Sequence, residues 1–211
     1  MKIQVGGMPQ AGSTLCFNLL KFALQEEHNL QLWVGSRKMG YIACEKETDS
    51  LIDLVKVHVR TTSNFLINVR RDIRDSVASN IRKDPEFAGG DVLKIAARNM
   101  TWYNQCNPCD YLFCYEEYKA RPVEVAKEML ESLPLAVECD IEKVIEKAES
   151  LKDKKYSSKL THHKFDLMTS HHVTNGGKIG SYRETLDTTQ ISLLELEYGV
   201  WLLENGYKLC V

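Results

Sequence analysis

The sequence predicts an α/β fold in three layers, a central and mainly parallel sheet flanked by helices. Three observations carry this expectation. Strand-like runs alternate with helical patterns along most of the chain. Two of the runs, Phe65–Arg70 and Tyr111–Phe113, are largely apolar on both faces, as strands buried in a parallel sheet are. The composition, 44% hydrophobic and 27% charged, is ordinary for a globular chain and removes disordered, collagen-like and coiled-coil readings.

Taken in order, Ile3–Gly6 reads as the first strand. Thr14–Gln25 follows as a helix, with Leu15, Leu19 and Phe22 on one row and Leu20 and Ala23 on the next. Short strands are expected at Leu32–Val34 and Tyr41–Cys44, and longer ones at Asp53–Val59 and Phe65–Arg70. Arg74–Lys83 is a short basic helix. Val92–Gln105 is a helix with Leu93, Ala96, Ala97, Met100 and Tyr103 at helical spacing, and Tyr111–Tyr115 is a further strand. Val123–Leu133 follows Pro122, and Ile141–Ala148 follows Asp140 as N-cap. The last helix, Thr189–Glu204, gathers Ile191, Leu194, Tyr198, Trp201 and Leu202 on one face and stops at Asn205-Gly206. The 211 residues suit a single domain, residues 1–211, able to bury a core without staples.

The net charge of −2 conceals an asymmetry. Residues 60–83 carry six cations against Asp72 and Asp75, a net of +4; residues 151–183 carry a net of +5, so the rest holds −11. Two basic islands on an acidic body point to a local anion site or to solvated patches, not to a surface that coats nucleic acid. The second island is rich in Lys, Ser and His and long for a connection, so a lid or basic loop is expected there. No apolar run approaches the roughly 20 residues that cross a bilayer, and no signal-like start is seen. The expectation is a cytoplasmic protein with no membrane or nucleic-acid partner. The seven cysteines are then expected as free thiols. The Cys106-Asn-Pro-Cys109 pair ends a helical pattern, not the start of one, which weighs against a redox or zinc site.

After the first strand, Gly7 to Thr14 has the spacing G-x-x-x-x-G-S-T. It is a P-loop with Ser13 where a nucleoside triphosphate needs lysine. A loop of this shape between strand and helix lets backbone N–H groups converge on an anion, and the helix dipole adds to it. By itself the loop is equally a ligand-free βα turn. Four further segments follow in order: Lys56-Val57-His58; Arg71-Asp72-Ile73-Arg74-Asp75-Ser76-Val77-Ala78-Ser79; Tyr115 to Pro122; and Asn175 to Arg183. In this order the chain resembles the sulfotransferases that use 3′-phosphoadenosine 5′-phosphosulfate (PAPS), from about Lys2 to Tyr182.

The resemblance implies a P-loop-like fold, PAPS as donor and its product adenosine 3′,5′-bisphosphate (PAP). It places Gln10, Ala11, Gly12, Ser13 and Thr14 on the 5′-phosphosulfate. Arg71 and Ser79 fall on the 3′-phosphate, Tyr115 on the adenine, and Gly177 and Lys178 on the closing late segment. Without the other segments, Arg71 reads as a surface ion pair with Asp72 or Asp75. His58 is implied as the general base, with Lys56 beside it. Sulfuryl transfer needs a proton removed from the acceptor and a fixed cation near the departing oxygen. In a strand, residues two apart share a face, so Lys56 and His58 are expected to point at one site.

The pattern departs from the family at Gln10, which stands where the loop carries a cation; Lys56, Arg37 or Lys38 would have to replace it. Leu15 stands where an aromatic stacks on adenine, leaving Tyr115 or Trp33 for that contact. Asn175-Gly176 stand where the family has Arg-Lys. The pairs His162-His163 and His171-His172 read as lid residues, and no metal is expected. Three functions remain open: sulfuryl transfer to a hydroxyl or amine of a small molecule, glycan or peptide; binding of PAPS or PAP without turnover, suggested by Gln10; and a P-loop phosphotransferase, opposed by Ser13.

Overall fold

The computed structural model describes residues 1–34, 37–42, 51–84, 90–151 and 174–210. Six strands form one sheet: β1 (Lys2–Gly7), β2 (Asn29–Val34), β3 (Arg37–Ile42), β4 (Leu51–Lys56), β5 (Phe65–Arg70) and β6 (Tyr111–Cys114). Their order is β3-β2-β4-β1-β5-β6; β3 pairs antiparallel with β2 at one edge and the other five strands are parallel. The helices are α1 (Ser13–Leu24), α2 (Ile73–Lys83), α3 (Val92–Gln105), α4 (Tyr115–Ala120), α5 (Pro122–Glu131), α6 (Ile141–Ser150) and α7 (Thr188–Glu204).

The helices fall into two packed groups. α1, α5 and α6 pack together, with α1 against β1 and β4; α2, α3 and α7 pack together, with α3 against β1 and β5. The expected three layers are therefore present. Burial on both faces explains the apolar run of β5, and Ile3, Val5, Ile67 and Val69 are fully buried; β6 departs from the expectation, being an edge strand with Phe113 buried but Leu112 exposed. Each such buried side chain contributes about 1.5–3 kcal/mol by leaving water.

The helix boundaries follow capping chemistry. Asp72, Asp91 and Asp140 accept from backbone N–H groups in the first turns of α2, α3 and α6. Asp187 and Gln190 form a reciprocal capping box on α7. The predicted face of α7 is the one that packs: Leu194 and Leu202 are buried, and Trp201 meets Tyr103 of α3 edge-on.

Several boundaries differ from expectation; β2, for one, begins at Asn29, three residues ahead of Leu32. β4 ends at Lys56, so Val57 to Val59 are not strand and His58 lies in the bend beyond it. Tyr115 does not close a strand; it opens α4, a helix that the sequence pattern missed because it spans only six residues. β3 begins at Arg37, ahead of the run expected at Tyr41–Cys44, whose last two residues lie outside the described residues. Residues 152–173, most of the expected lid including the four paired histidines, also lie outside them.

A buried ion network ties the second helix layer to the C-terminal tail. Arg74 of α2 is 2% exposed and donates to Asp72 at 2.6 Å, to the Lys208 carbonyl at 3.0 Å and to Glu195 of α7. Its guanidinium also lies 4.6 Å from the Tyr182 ring centre. Glu195 in turn accepts from the Cys210 backbone N–H at 3.0 Å. Burial disfavours the Arg74 charge, but Asp72, Tyr182 and Glu195 outweigh it and hold the guanidinium protonated.

Candidate functional site

The C-terminal ends of the parallel strands assemble the site. The register sets Val5 of β1 opposite Lys56 of β4, and Gly7 of β1 opposite Val69 of β5. The chain visits β4 on one side of β1 and then β5 on the other, so the loop after β1 sits at a topological switch point, where α/β sheets open a crevice. Lys56 ends β4 and His58 lies just beyond it, Arg71 follows β5 and Tyr115 follows β6.

The loop between β1 and α1 is built for close approach. Gly7 has φ +96°, and a Cβ there would meet the Asn68 Oδ1 at 2.1 Å. Gly12 caps α1 with φ +94°, and a Cβ there would lie 2.6 Å from Tyr115 Cδ2. Gln10 also has positive φ, +56°. No side chain caps α1, and no protein acceptor among the described residues meets the backbone N–H groups of Gly12 to Leu15. Such N–H groups at a helix N-terminus suit an anion. Gly12→Ala should therefore cost about 1–3 kcal/mol of stability, read by urea unfolding; an unchanged midpoint would show that the loop accommodates a Cβ there.

Arg71 is the hub on the other side of the loop. It is 5% exposed, not a surface residue, although the expected pairing with Asp75 is present at 3.5 Å. Its guanidinium donates to the carbonyls of Gln10 at 3.3 Å and Lys178 at 3.1 Å, and lies 4.5 Å from the Tyr115 ring centre. Its Nε is buried and has no partner among the described residues. The Tyr115 hydroxyl donates to the Gly177 carbonyl at 2.8 Å. Gln10, Gly12, Arg71, Tyr115, Gly177 and Lys178, far apart in sequence, thus form one cluster. The Lys178 ammonium itself turns to Glu184, so only its backbone joins the cluster.

Ser79 lies in the seventh position of α2 and is buried. One turn on, Arg82 donates to Ser181 Oγ at 3.1 Å and to the Thr185 hydroxyl at 2.5 Å. Burial and then the nearby Arg71 hold its pKa below the usual arginine value. Asp75, which pairs with Arg71, and Glu184 oppose that shift as counter-charges. Asp75, fully buried, accepts from the backbone N–H groups of Gly180 at 2.7 Å and Tyr182 at 2.9 Å and clamps the late segment onto α2. From sequence Asp75 was weighed only as an ion-pair partner of Arg71, and Arg82, three residues beyond the Arg71–Ser79 motif, was not singled out.

His58 sits on the opposite flank. Its Nδ1 is 3.0 Å from the Gly7 carbonyl, which can only accept. Nδ1 therefore carries the proton and Nε2 the lone pair. The ring stacks on Trp102 of α3 at 5.2 Å and 12°. Gln4, buried in the central strand, holds the chain just beyond: its Nε2 donates to the Val59 carbonyl at 2.8 Å and its Oε1 accepts from Thr61 N–H at 2.9 Å. The bend and these two tethers, not the two-residue repeat of a strand, place His58 beside Lys56. Burial, then the Lys56 charge, push the His58 pKa down to about 4, with Lys83 and Arg98 adding and the Gly7 bond opposing. Burial and Lys83 push Lys56 down to about 8.

The other proposed replacements lie elsewhere or beyond description. Arg37 and Lys38 belong to β3, and their side chains lie outside the described residues. The Trp33 indole donates to Asp53 at 3.1 Å. Cys106 packs where a Gly6 Cβ would fall, 2.7 Å away, and its thiol donates to the His58 carbonyl at 3.5 Å. Burial raises the Cys106 and Cys109 thiol pKa values, which keeps both neutral at pH 7. Among the described residues no three His, Cys, Asp or Glu side chains gather as a metal site, and no helix is long and apolar enough to cross a membrane.

Fold and crevice together define a P-loop-like α/β protein with a parallel five-stranded core and an anion-ready loop at its switch point. No family model matches the sequence, and no curated protein matches it. Among solved structures, the chain is similar to mouse sulfotransferase SULT7A1 complexed with PAP, with a TM-score of 0.61 at 12% identity, covering 96% of this chain and 84% of that one. The likeness is one of fold: this protein has a sulfotransferase-like fold.

Proposed function

We propose that the protein is a PAPS-dependent sulfotransferase that moves a sulfuryl group to an acceptor hydroxyl or amine. The observation that carries the reading is the tautomer of His58, fixed by Gly7 at the root of the uncapped loop, with Lys56 alongside. The Gly12–Thr14 backbone and the α1 N-terminus would take the 5′-phosphosulfate. Arg71, Ser79 and Arg82 would take the 3′-phosphate, and Tyr115 would border the adenine. These groups fit a ligand with two separated anionic ends, since uncapped N–H groups lie on one side and clustered guanidiniums on the other.

The chain's own part in the reaction follows. His58 Nε2 accepts the acceptor proton as its oxygen or nitrogen attacks sulfur in line. Lys56 offsets the charge that grows on the departing phosphate oxygen. The emerging imidazolium keeps its Nδ1–H bond to Gly7, so orientation is retained through the step. The pKa directions give the pH dependence of kcat/KM in the free enzyme. His58 is a neutral base above about pH 4, and Lys56 keeps its charge below about pH 8. A plateau between those values is expected, falling on both sides; a steep acid limb near pH 6.5 would show that His58 is not so perturbed.

Transfer of labelled sulfate from PAPS to a panel of phenols, alcohols, amines, sugars and peptides tests the activity. Thermal shift with PAP against ATP and Mg²⁺ tests the ligand. Stabilisation by ATP–Mg²⁺ but not by PAP would favour a phosphotransferase instead. A second reading, PAPS or PAP binding without turnover, is favoured by one feature: Gln10 brings no charge to the loop. Stabilisation by PAP with no transfer to any acceptor would establish it.

A further inference from the structure

Helix α7 is apolar on two opposite faces, and its own chain covers only one of them. Leu194 and Leu202 are buried, and Ile191, Tyr198 and Trp201 pack on the core around them. The C-terminal tail runs back along an adjoining side. There the Tyr207 backbone N–H donates to the Leu202 carbonyl at 2.9 Å, and Leu209 Cδ1 lies 3.8 Å from where a Gly199 Cβ would stand. The face opposite the core is left open. On it Leu193 is 41% exposed, Leu196 85%, Val200 72% and Leu203 59%.

A single exposed leucine is ordinary. These four, however, recur at spacings of three, four and three residues, the repeat of a coiled-coil seam, and Thr189 continues the stripe by one turn. A helix that is apolar all round is normally covered all round, and a contiguous exposed apolar stripe marks an interaction site.

The rim of the stripe indicates what covers it. Glu197 and Glu204 lie four residues after Leu193 and Val200, so both border the stripe along the same side. Neither forms an ion pair among the described residues. Glu195, the remaining charge on the helix, faces the core and is committed to Arg74. The helix has no Lys or Arg. A second copy of α7 therefore brings its two rim carboxylates no counter-charge, and an antiparallel copy would set them against each other. The stripe also runs only about 15 Å from Leu193 to Leu203, which suits one helix of about three turns rather than the roughly 800 Å² that each subunit of a stable dimer buries. The same carboxylates oppose an anionic membrane surface.

We propose that the open face of α7 is a docking site for a basic amphipathic helix of a partner protein. The partner's apolar residues, at three- and four-residue spacing, lie on Leu193, Leu196, Val200 and Leu203, and its Lys or Arg side chains face Glu197 and Glu204. Apolar contact supplies the affinity and the rim charges select the partner, as in other helix-on-helix recognition. The proposal is independent of the sulfotransferase reading.

Two fluorescently labelled helical peptides test it, identical in Leu at the a and d positions but carrying either Lys or Glu at e and g. Anisotropy at physiological ionic strength should show the Lys peptide binding at least tenfold tighter than the Glu peptide. Leu196→Ser combined with Val200→Ser, both at exposed positions, should leave the unfolding midpoint unchanged and abolish binding. Glu197→Lys combined with Glu204→Lys should reverse the preference between the peptides. Lys-peptide binding that survives the double serine variant would reduce it to attraction by the acidic body and overturn the proposal, as would equal binding of both peptides or binding of neither. Sedimentation velocity and flotation with phosphatidylcholine–phosphatidylserine vesicles complete the test. A dimer, or vesicle binding, that disappears in the same serine variant would assign the stripe to a second copy or to a membrane, and the proposal would fall.

Discussion

Replacing His58 with alanine should lower kcat by about 10²- to 10⁴-fold, the range a positioned general base supplies, while PAP affinity changes little. The separation follows from where the ring sits. His58 is held by the Gly7 carbonyl and by Trp102, whereas the cluster read as the far end of the nucleotide site is built on Arg71, Tyr115 and Gly177. The main contribution lost is the Nε2 lone pair, and with it the proton's destination. The packing loss is modest because the ring is only half-buried and its neighbours are tethered by Gln4. His58→Gln makes the control, since its amide can keep a hydrogen bond to Gly7 but cannot accept a proton near neutral pH. Both variants should be equally slow. Single-turnover rates with PAPS in excess would show it, and an undiminished rate in either would remove His58 from the base role while leaving the fold reading untouched.

Arg74→Ala should destabilise the protein by about 3–5 kcal/mol, the cost of leaving a buried ion network without its cation. Asp72 and Glu195 are both buried and share this one guanidinium. Alanine would leave two carboxylates facing each other across a cavity, with the Lys208 carbonyl losing its donor as well. At about 2–4 °C per kcal/mol for a domain of this size, Tm should fall by roughly 10 °C. Arg74→Met separates charge from volume: it fills the space but not the charge, and should be nearly as damaging. Urea unfolding of both variants checks this, and a loss below about 1 kcal/mol would mean that solvent reaches the network.

Much of the scaffold was legible before any coordinates. The β5 run Phe65–Arg70 was placed residue for residue because a strand buried on both faces has no competing pattern. Val92–Gln105 was as clear, because Leu93, Ala96, Ala97, Met100 and Tyr103 recur at helical spacing. The end of β4 was not: Val57 and Val59 have strand propensity, but Gln4 captures the chain at Val59 and Thr61 and bends it away from the ladder. Propensity is local, whereas that capture is made by a side chain 55 residues earlier. Helix α4 was missed because six residues scarcely establish a period, and its first residue, Tyr115, is fixed by contact with Gly12 and Arg71.

The site divides along the same line. Sequence alone determined the chemistry available: a glycine loop without its lysine, a His beside a Lys after a strand, and an Arg–Ser pair entering a helix. These depend on residue type and near spacing, which a linear chain displays directly. Only the tertiary structure decided how they are used. It set the His58 tautomer through Gly7, buried Arg71 as the bond between loop and late segment, and turned the Lys178 ammonium toward Glu184. It also joined Asn80 of α2 to Arg98 of α3, and Arg98 to the Trp102 ring on which His58 stacks. Hydrogen bonds and Coulomb forces act over a few ångströms of space, whatever the separation along the chain, so their pairings emerge only when the layers pack.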